Sequence, residues 1–143
     1  MNSDRIRLTS PPTVAAPVGR YSHVARVAAG TDIAFLSGQI GNLPDGSLAG
    51  SDLYAQTRQA LRNLGELVTS LGATPRDLVK LFTMVVASDL SGFYAARTEV
   101  FDEWFGSDPP PTHSLAIVSG LATPDLLVEI EAVVAIPSYK GAP

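Results

Sequence analysis

The order of periodicities along this chain predicts an α+β domain, with two helices packed on one face of a mixed sheet. Two observations carry that prediction. Apolar residues recur at helical spacing in two stretches only, Leu53 to Leu71 and Phe93 to Phe105. Around them lie short runs rich in Val, Ile, Phe and Thr, bounded by Gly, Pro and Asp, which suits strands. The resulting order is two strands, a helix, a strand, a helix and two strands.

Taken in order, residues 1–16 mix polar residues with Pro11-Pro12 and read as a loose arm. Within it Arg5, Ile6, Arg7 and Leu8 alternate as a short edge strand does. Ser22 to Ala29 alternates again, and Ala29-Gly30-Thr31-Asp32 reads as a hairpin turn. Ile33-Ala34-Phe35-Leu36-Ser37 is nearly all apolar, which suits a buried strand. Gly41 to Gly50 is loop, turning at Pro44-Asp45-Gly46. Ser51-Asp52 offers an N-cap to the first helix, and Gly72 offers its C′ position.

Leu78 to Ala87 has strand composition. The second helix starts between Asp89 and Ser91, buries Phe93, Ala96, Val100, Phe101, Trp104 and Phe105, and ends at Gly106. Pro109-Pro110-Pro111 can sit neither inside a helix nor in a central strand, so it delivers His113 at a rigid strand entrance. Strands at His113 to Ser119 and Leu126 to Ile136 complete the order, followed by a turn-like end. The domain is expected over 17–137, with an arm at 1–16 and a tail at 138–143.

The last strand divides its residues between two faces. Val128, Ile130, Ala132 and Val134 suit the helix side, which turns Glu129, Glu131, Val133 and Ala135 outward. An outward face with apolar members invites another subunit. Composition sets further bounds. The formal net charge is -4 with no Lys/Arg run, which disfavours a nucleic-acid partner. No apolar stretch reaches membrane-spanning length and the N-terminus has no signal-like apolar core, so a cytoplasmic protein without a membrane partner is expected. The absence of cysteine excludes disulfides and thiolate chemistry. Two histidines without close ligand spacing give no reason to expect a metal.

Four short segments, in order, carry a resemblance. They are Pro17-Val18-Gly19-Arg20-Tyr21-Ser22, Ser37-Gly38-Gln39-Ile40, Gln56-Thr57-Arg58-Gln59-Ala60-Leu61-Arg62-Asn63-Leu64, and Val128-Glu129-Ile130-Glu131-Ala132. Together they resemble the RidA/YjgF-like reactive-intermediate deaminases, from about Pro17 to Ile136. The resemblance implies a chorismate-mutase-like fold, a homotrimer with clefts between subunits, and cofactor-independent hydrolysis of enamines and imines of small metabolites with release of ammonia. It implies Glu129 as the residue that handles water, and Tyr21, Ser37 and Gly38 as substrate-binding positions. Glu131 shares the face of Glu129 and is read as a charge for a neighbouring subunit. His23 is read as structural. Parts of the family carry a ribonuclease name, which the acidic balance disfavours here.

One substitution bears on substrate. The family's carboxylate-gripping arginine, in a Pro-Ala-Arg-Ser/Thr motif, corresponds to His113 in Pro111-Thr112-His113-Ser114. The family's asparagine in the second helix corresponds to Arg97, which by its own pattern reads as an exposed helix residue. Arginine offers a permanently charged fork, whereas histidine offers one donor in a given direction and is mostly neutral near pH 7. Losing a charge-assisted hydrogen bond of about 1.5–3 kcal/mol weakens binding roughly ten- to a hundredfold. The expected substrate therefore differs from 2-iminopropanoate, unless a protonated His113 or Arg97 supplies the charge. The alternative is a non-catalytic trimer that binds a small ligand or a protein in the same cleft.

Overall fold

A computed structural model describes residues 4–137; the tail expected at 138–143 and the first three residues of the arm lie outside them. The elements are β1 (Ile6–Thr9), β2 (Val24–Val27), β3 (Asp32–Gln39), α1 (Leu53–Ser70), β4 (Leu78–Val85), α2 (Ser91–Phe105), β5 (Thr112–Ile117) and β6 (Val128–Ile136), with a 3-10 turn at Pro75–Asp77 before β4. β3, β6, β4 and β5 form one sheet in that order. β6 runs antiparallel to both its neighbours, and β4 and β5 are parallel, joined by α2. The α+β architecture matches the expectation.

Local chemistry explains each helix boundary. The Asp52 carboxylate accepts from Ala55 N at 2.8 Å and caps α1. At the other end Gly72 sits at φ 71°, Ala73 N donates to Val68 O at 3.2 Å and Gly72 N to Thr69 O at 3.0 Å, the paired bonds of a Schellman motif. α2 opens where Asp89 Oδ1 accepts from Ser91 N at 2.9 Å and closes at Gly106, φ 58°. One core joins both helices to one sheet face. It gathers Leu61, Leu64 and Val68 of α1, Phe93, Val100 and Phe101 of α2, Leu81 and Val85 of β4, and Val128, Ile130, Ala132, Val134 and Ile136 of β6.

The opposite sheet face is bare. Phe35 is 79% exposed and Ile33 40%. The apolar run Ile33–Ser37 is therefore not a strand buried on both sides, because both helices sit on the same face and leave its alternate residues uncovered. Of the outward set in β6, Glu131 is exposed, Val133 is half-buried and Ala135 is buried.

β1 and β2 form a separate antiparallel pair. The turn at Ala28–Thr31 is present, with Gly30 at φ 76°, but its flanking strands do not pair as a hairpin. β1 occupies the edge of β2, and β6 occupies β3. Ile6 is buried, and Arg5 pairs at 2.7 Å with the buried Asp77, whose other oxygen caps the 3-10 turn through Thr74 N at 2.9 Å. Residues 5–9 of the stretch read as a loose arm are held to the domain in this way.

Candidate functional site

The proline run shapes the site through its carbonyls. Prolines lack an N–H, but Pro111 O accepts from Ser22 N at 3.1 Å and Pro110 O accepts from the Ser22 hydroxyl at 2.6 Å. Arg20 pairs with Asp102 and donates to Gly106 O at 3.3 Å. These bonds strap residues 18–22 across the end of α2 and the start of β5. Beneath the strap lies a cavity of about 590 Å³, lined by Val18, Gly19, Tyr21, Tyr94, Arg97, His113 and Leu115.

His113 reaches this cavity from the helix side of the sheet. It lies opposite Leu81 in the parallel β4–β5 ladder, and its Nε2 is 2.7 Å from the hydroxyl of the fully buried Thr83. The rings of Phe93 and Phe101 stand 6.2 and 6.3 Å away. Its Nδ1 is buried without a hydrogen-bond partner. Burial, reinforced by the positive charges of Arg97 and Lys80, pushes the imidazole pKa down to about 4. The ring is neutral around pH 7, so a protonated His113 does not stand in for the motif arginine.

Arg97 is not the exposed helix residue its pattern implies. It is half-buried on the cavity side of α2, its guanidinium carbon 5.0 Å from the Tyr94 ring centre, 5.5 Å from Phe93 and 6.0 Å from Phe101. Its Nε is buried without a hydrogen-bond partner. Among the described residues no carboxylate forms an ion pair with it. Burial lowers its pKa, and the nearby Arg20 adds to that, but a guanidinium stays charged.

Glu129 lies elsewhere. Between the pairs Leu36↔Ala132 and Gln39↔Ile130, two residues of β3, Ser37 and Gly38, oppose the single Glu131. This β-bulge turns Gly38 toward Glu129. A Cβ placed on Gly38 would fall 2.1 Å from Glu129 Oε1 and 2.7 Å from its Cδ. The missing side chain at Gly38 is what leaves room for this carboxylate. Glu129 makes no hydrogen bond or ion pair among the described residues.

The first-helix signature holds this arrangement in place. Gln56, fully buried, donates to Gly50 O at 3.2 Å and Asp125 O at 3.0 Å and accepts from Leu127 N at 2.9 Å, which fixes the lead into β6. Asn63 donates to Ile40 O at 3.1 Å and Asn42 O at 2.9 Å, which fixes the end of β3.

The candidate residues thus fall into two groups. Tyr21, Arg97 and His113 share the cavity on the helix side, while Gly38 and Glu129, with the exposed Ser37 on the same bulge, belong to the open sheet face. The strand carrying His113 and the strand carrying the two carboxylates do not converge within one chain, because His113 and Glu129 point to opposite faces of the sheet. Thr83 and Tyr94 are additions. Thr83 was legible as the one hydroxyl at inward parity between Leu81 and Val85, whereas nothing in the sequence singles out Tyr94. His23 braces the arm, with Nε2 2.7 Å from Ala15 O and its ring 5.7 Å edge-on to Tyr21. Among the described residues no trio of His, Asp or Glu gathers as a metal site, and no helix is long and apolar enough to cross a membrane.

Comparisons with known proteins agree with this fold. The profile of the family described as Endoribonuclease L-PSP matches residues 12–136. A RutC family protein of Pyrococcus abyssi is 31% identical over 82% of this chain and 87% of its own length. Reactive Intermediate Deaminase A of Arabidopsis thaliana, chloroplastic, is 30% identical over 82% of this chain and 59% of its own. The crystal structure of the Rid-family protein YyfB of Yersinia pestis superposes with a TM-score of 0.82, at 34% identity, over 92% of this chain and 99% of that one. A profile that spans nearly the whole chain, a Pyrococcus relative matched over 87% of its length and a shared fold leave one assignment: the chain belongs to the RidA/YjgF-like family.

Proposed function

We propose that the protein is a cofactor-independent hydrolase of imines or enamines in small metabolites, acting in the cytoplasm as a homotrimer with clefts between its subunits. The observation that carries this reading is the Glu129 carboxylate, seated over Gly38 on the bare sheet face with no partner of its own. A carboxylate so presented suits a general base for water. The uncovered Ile33 and Phe35, farther along the same face, give it an apolar patch suited to a second copy. A neighbour docked there brings its own Tyr21, Arg97 and His113 cavity against Glu129 and completes a cleft that neither chain holds alone.

In that cleft Glu129 takes a proton from water as its oxygen adds to the imine carbon. The proton passes to the nitrogen to give a carbinolamine, and the carbinolamine hydroxyl then gives up its own proton, through Glu129, to the amine as the C–N bond breaks, so that ammonia leaves behind a carbonyl product. The name of the Arabidopsis relative supports this class of reaction. A non-catalytic ligand-binding trimer is the second reading. It is favoured by His113, which is neutral and closed in by Phe93 and Phe101 where the family motif has a cation.

Light scattering is expected to give three times the chain mass at micromolar concentration. Ammonia release from freshly generated 2-imino acids is expected to exceed the buffer rate, and Glu129→Gln is expected to abolish the excess while leaving the assembly intact. A stable monomer removes the shared cleft. Wild-type rates equal to buffer across a panel of imines leave the ligand-binding reading.

A further inference from the structure

We propose that the cavity under the 18–22 strap is a carboxylate site in which Arg97, on α2, is the anion clamp, and that it selects small monoanionic acids with an apolar or aromatic tail. The inference rests on the reading of this cavity as the substrate side of the cleft.

Charge and shape both point there. The lining carries one permanent positive charge and no negative one. The guanidinium is held among three aromatic rings, which fix its plane and remove water from its flank. Only its Nε is buried without a partner; the two Nη atoms are neither fully buried nor bonded to a described group, and Nη2 stands beside Gly19, where an added Cβ would make ordinary contact at 3.6 Å. A desolvated guanidinium with an open edge and no counterion is matched by a planar carboxylate, which it can bind through two parallel bonds. A phosphate dianion needs more positive charge than this wall supplies.

The other groups that face the site do not compete for the anion. His113 is neutral and already engaged with Thr83. Arg20 is paired with Asp102. Lys80 acts on His113 only as a nearby charge. The remaining walls, Val18, Tyr21, Tyr94 and Leu115, are apolar or aromatic. They suit a branched or aromatic tail better than a methyl group. The clamp therefore acts from the helix rather than from the strand, and it orients the acid with its tail along Tyr21 and Leu115.

Calorimetric titration of the full-length protein with 3-phenylpropanoate, its neutral isostere 3-phenylpropanamide, and propanoate tests this without any turnover. The acid is expected to bind at least tenfold more tightly than the amide and more tightly than propanoate. Arg97→Gln is expected to weaken the acid ten- to a hundredfold and to erase the acid–amide difference. The wild-type affinity is expected to stay flat from pH 5.5 to 8.5. Equal affinity for acid and amide, no binding of the acid, or an affinity that falls as an imidazole deprotonates overturns the proposal. The acid–amide comparison needs only the wild type, so a poorly folding variant does not shield the idea. Acid binding without imine hydrolysis leaves the clamp standing and defeats the hydrolase. Imine hydrolysis without acid–amide discrimination does the reverse.

Discussion

Gly38→Ala isolates the placement of the Glu129 carboxylate from the stability of the fold. Gly38 has no positive φ, so an alanine there adopts the same backbone without strain. Its methyl carbon would fall 2.1 Å from Glu129 Oε1 and 2.7 Å from Cγ and Cδ, whereas ordinary contact begins at 3.4 Å. The atoms in the way belong to a flexible side chain rather than to backbone. The carboxylate therefore swings aside by more than about 1 Å and the strand stays in place, and a misplacement of that size costs about a hundredfold in rate. Melting temperature is expected to move by no more than about 4 °C, because the displaced group was not hydrogen-bonded. The assay is ammonia release on the best imine found for the wild type, with circular dichroism melts in parallel. Gly38→Ala is expected to approach the rate of Glu129→Gln, and the double variant is expected to be no worse than either single one, since both disable the same group. Activity within about threefold of wild type, alongside an inactive Glu129→Gln, would refute the placement argument. A melt lowered by 10 °C or more shows instead that the glycine serves the bulged backbone.

Two further perturbations probe how the site is supported. Gln56→Ala strands Leu127 N and the Gly50 and Asp125 carbonyls next to a cavity, so it is expected to destabilise by about 3 kcal/mol, read as a lower urea midpoint with an unchanged slope. His113, with its folded pKa depressed from 6.5 to about 4, takes a proton in the unfolded chain before it does so in the folded one. Stability therefore falls as pH drops from 6.5 toward 4, by up to about 3 kcal/mol, and is level above 6.5. The wild-type curve minus that of His113→Gln isolates this component from the carboxylates, and a difference that stays constant over that range contradicts the buried, neutral imidazole.

Much of the fold was legible because local signals and packing agree. Asp52 and Gly72 cap α1 as their positions imply, and the aromatic stripe from Phe93 to Phe105 is core. What the sequence did not convey is which sheet face each strand residue meets. Ile33-Ala34-Phe35-Leu36 has the composition of a strand buried on both faces, and composition carries no record of a face left for another molecule. The separation of His113 from Glu129 depends on parity and strand order. His113 pairs with Leu81 and Glu129 with Met84, three residues apart on β4, so the two side chains belong to different faces however near their strands are. The resemblance singles out Gly38, and the structure adds that a side chain there would overlap Glu129. That contact arises across the bulge and has no local signature.

The two positions at which the resemblance implies other residues, 113 and 97, belong to one electrostatic arrangement rather than two. Both side chains line the same cavity, and the positive charge of Arg97 already helps to depress the His113 pKa. A second guanidinium on β5 would face the first across a space with no carboxylate to separate them, and burial already disfavours the charge of Arg97. A neutral residue at 113 is what permits a cation at 97. His113 fills that place as a flat ring wedged between Phe93 and Phe101, with Thr83 satisfying one nitrogen. On the reading proposed for this cavity, its single positive charge comes from the helix, where the resemblance implies one from the strand. On that reading the direction of approach differs too, and with it which acids can lie against Tyr21 and Leu115 while their reacting carbon faces the open sheet of a neighbour.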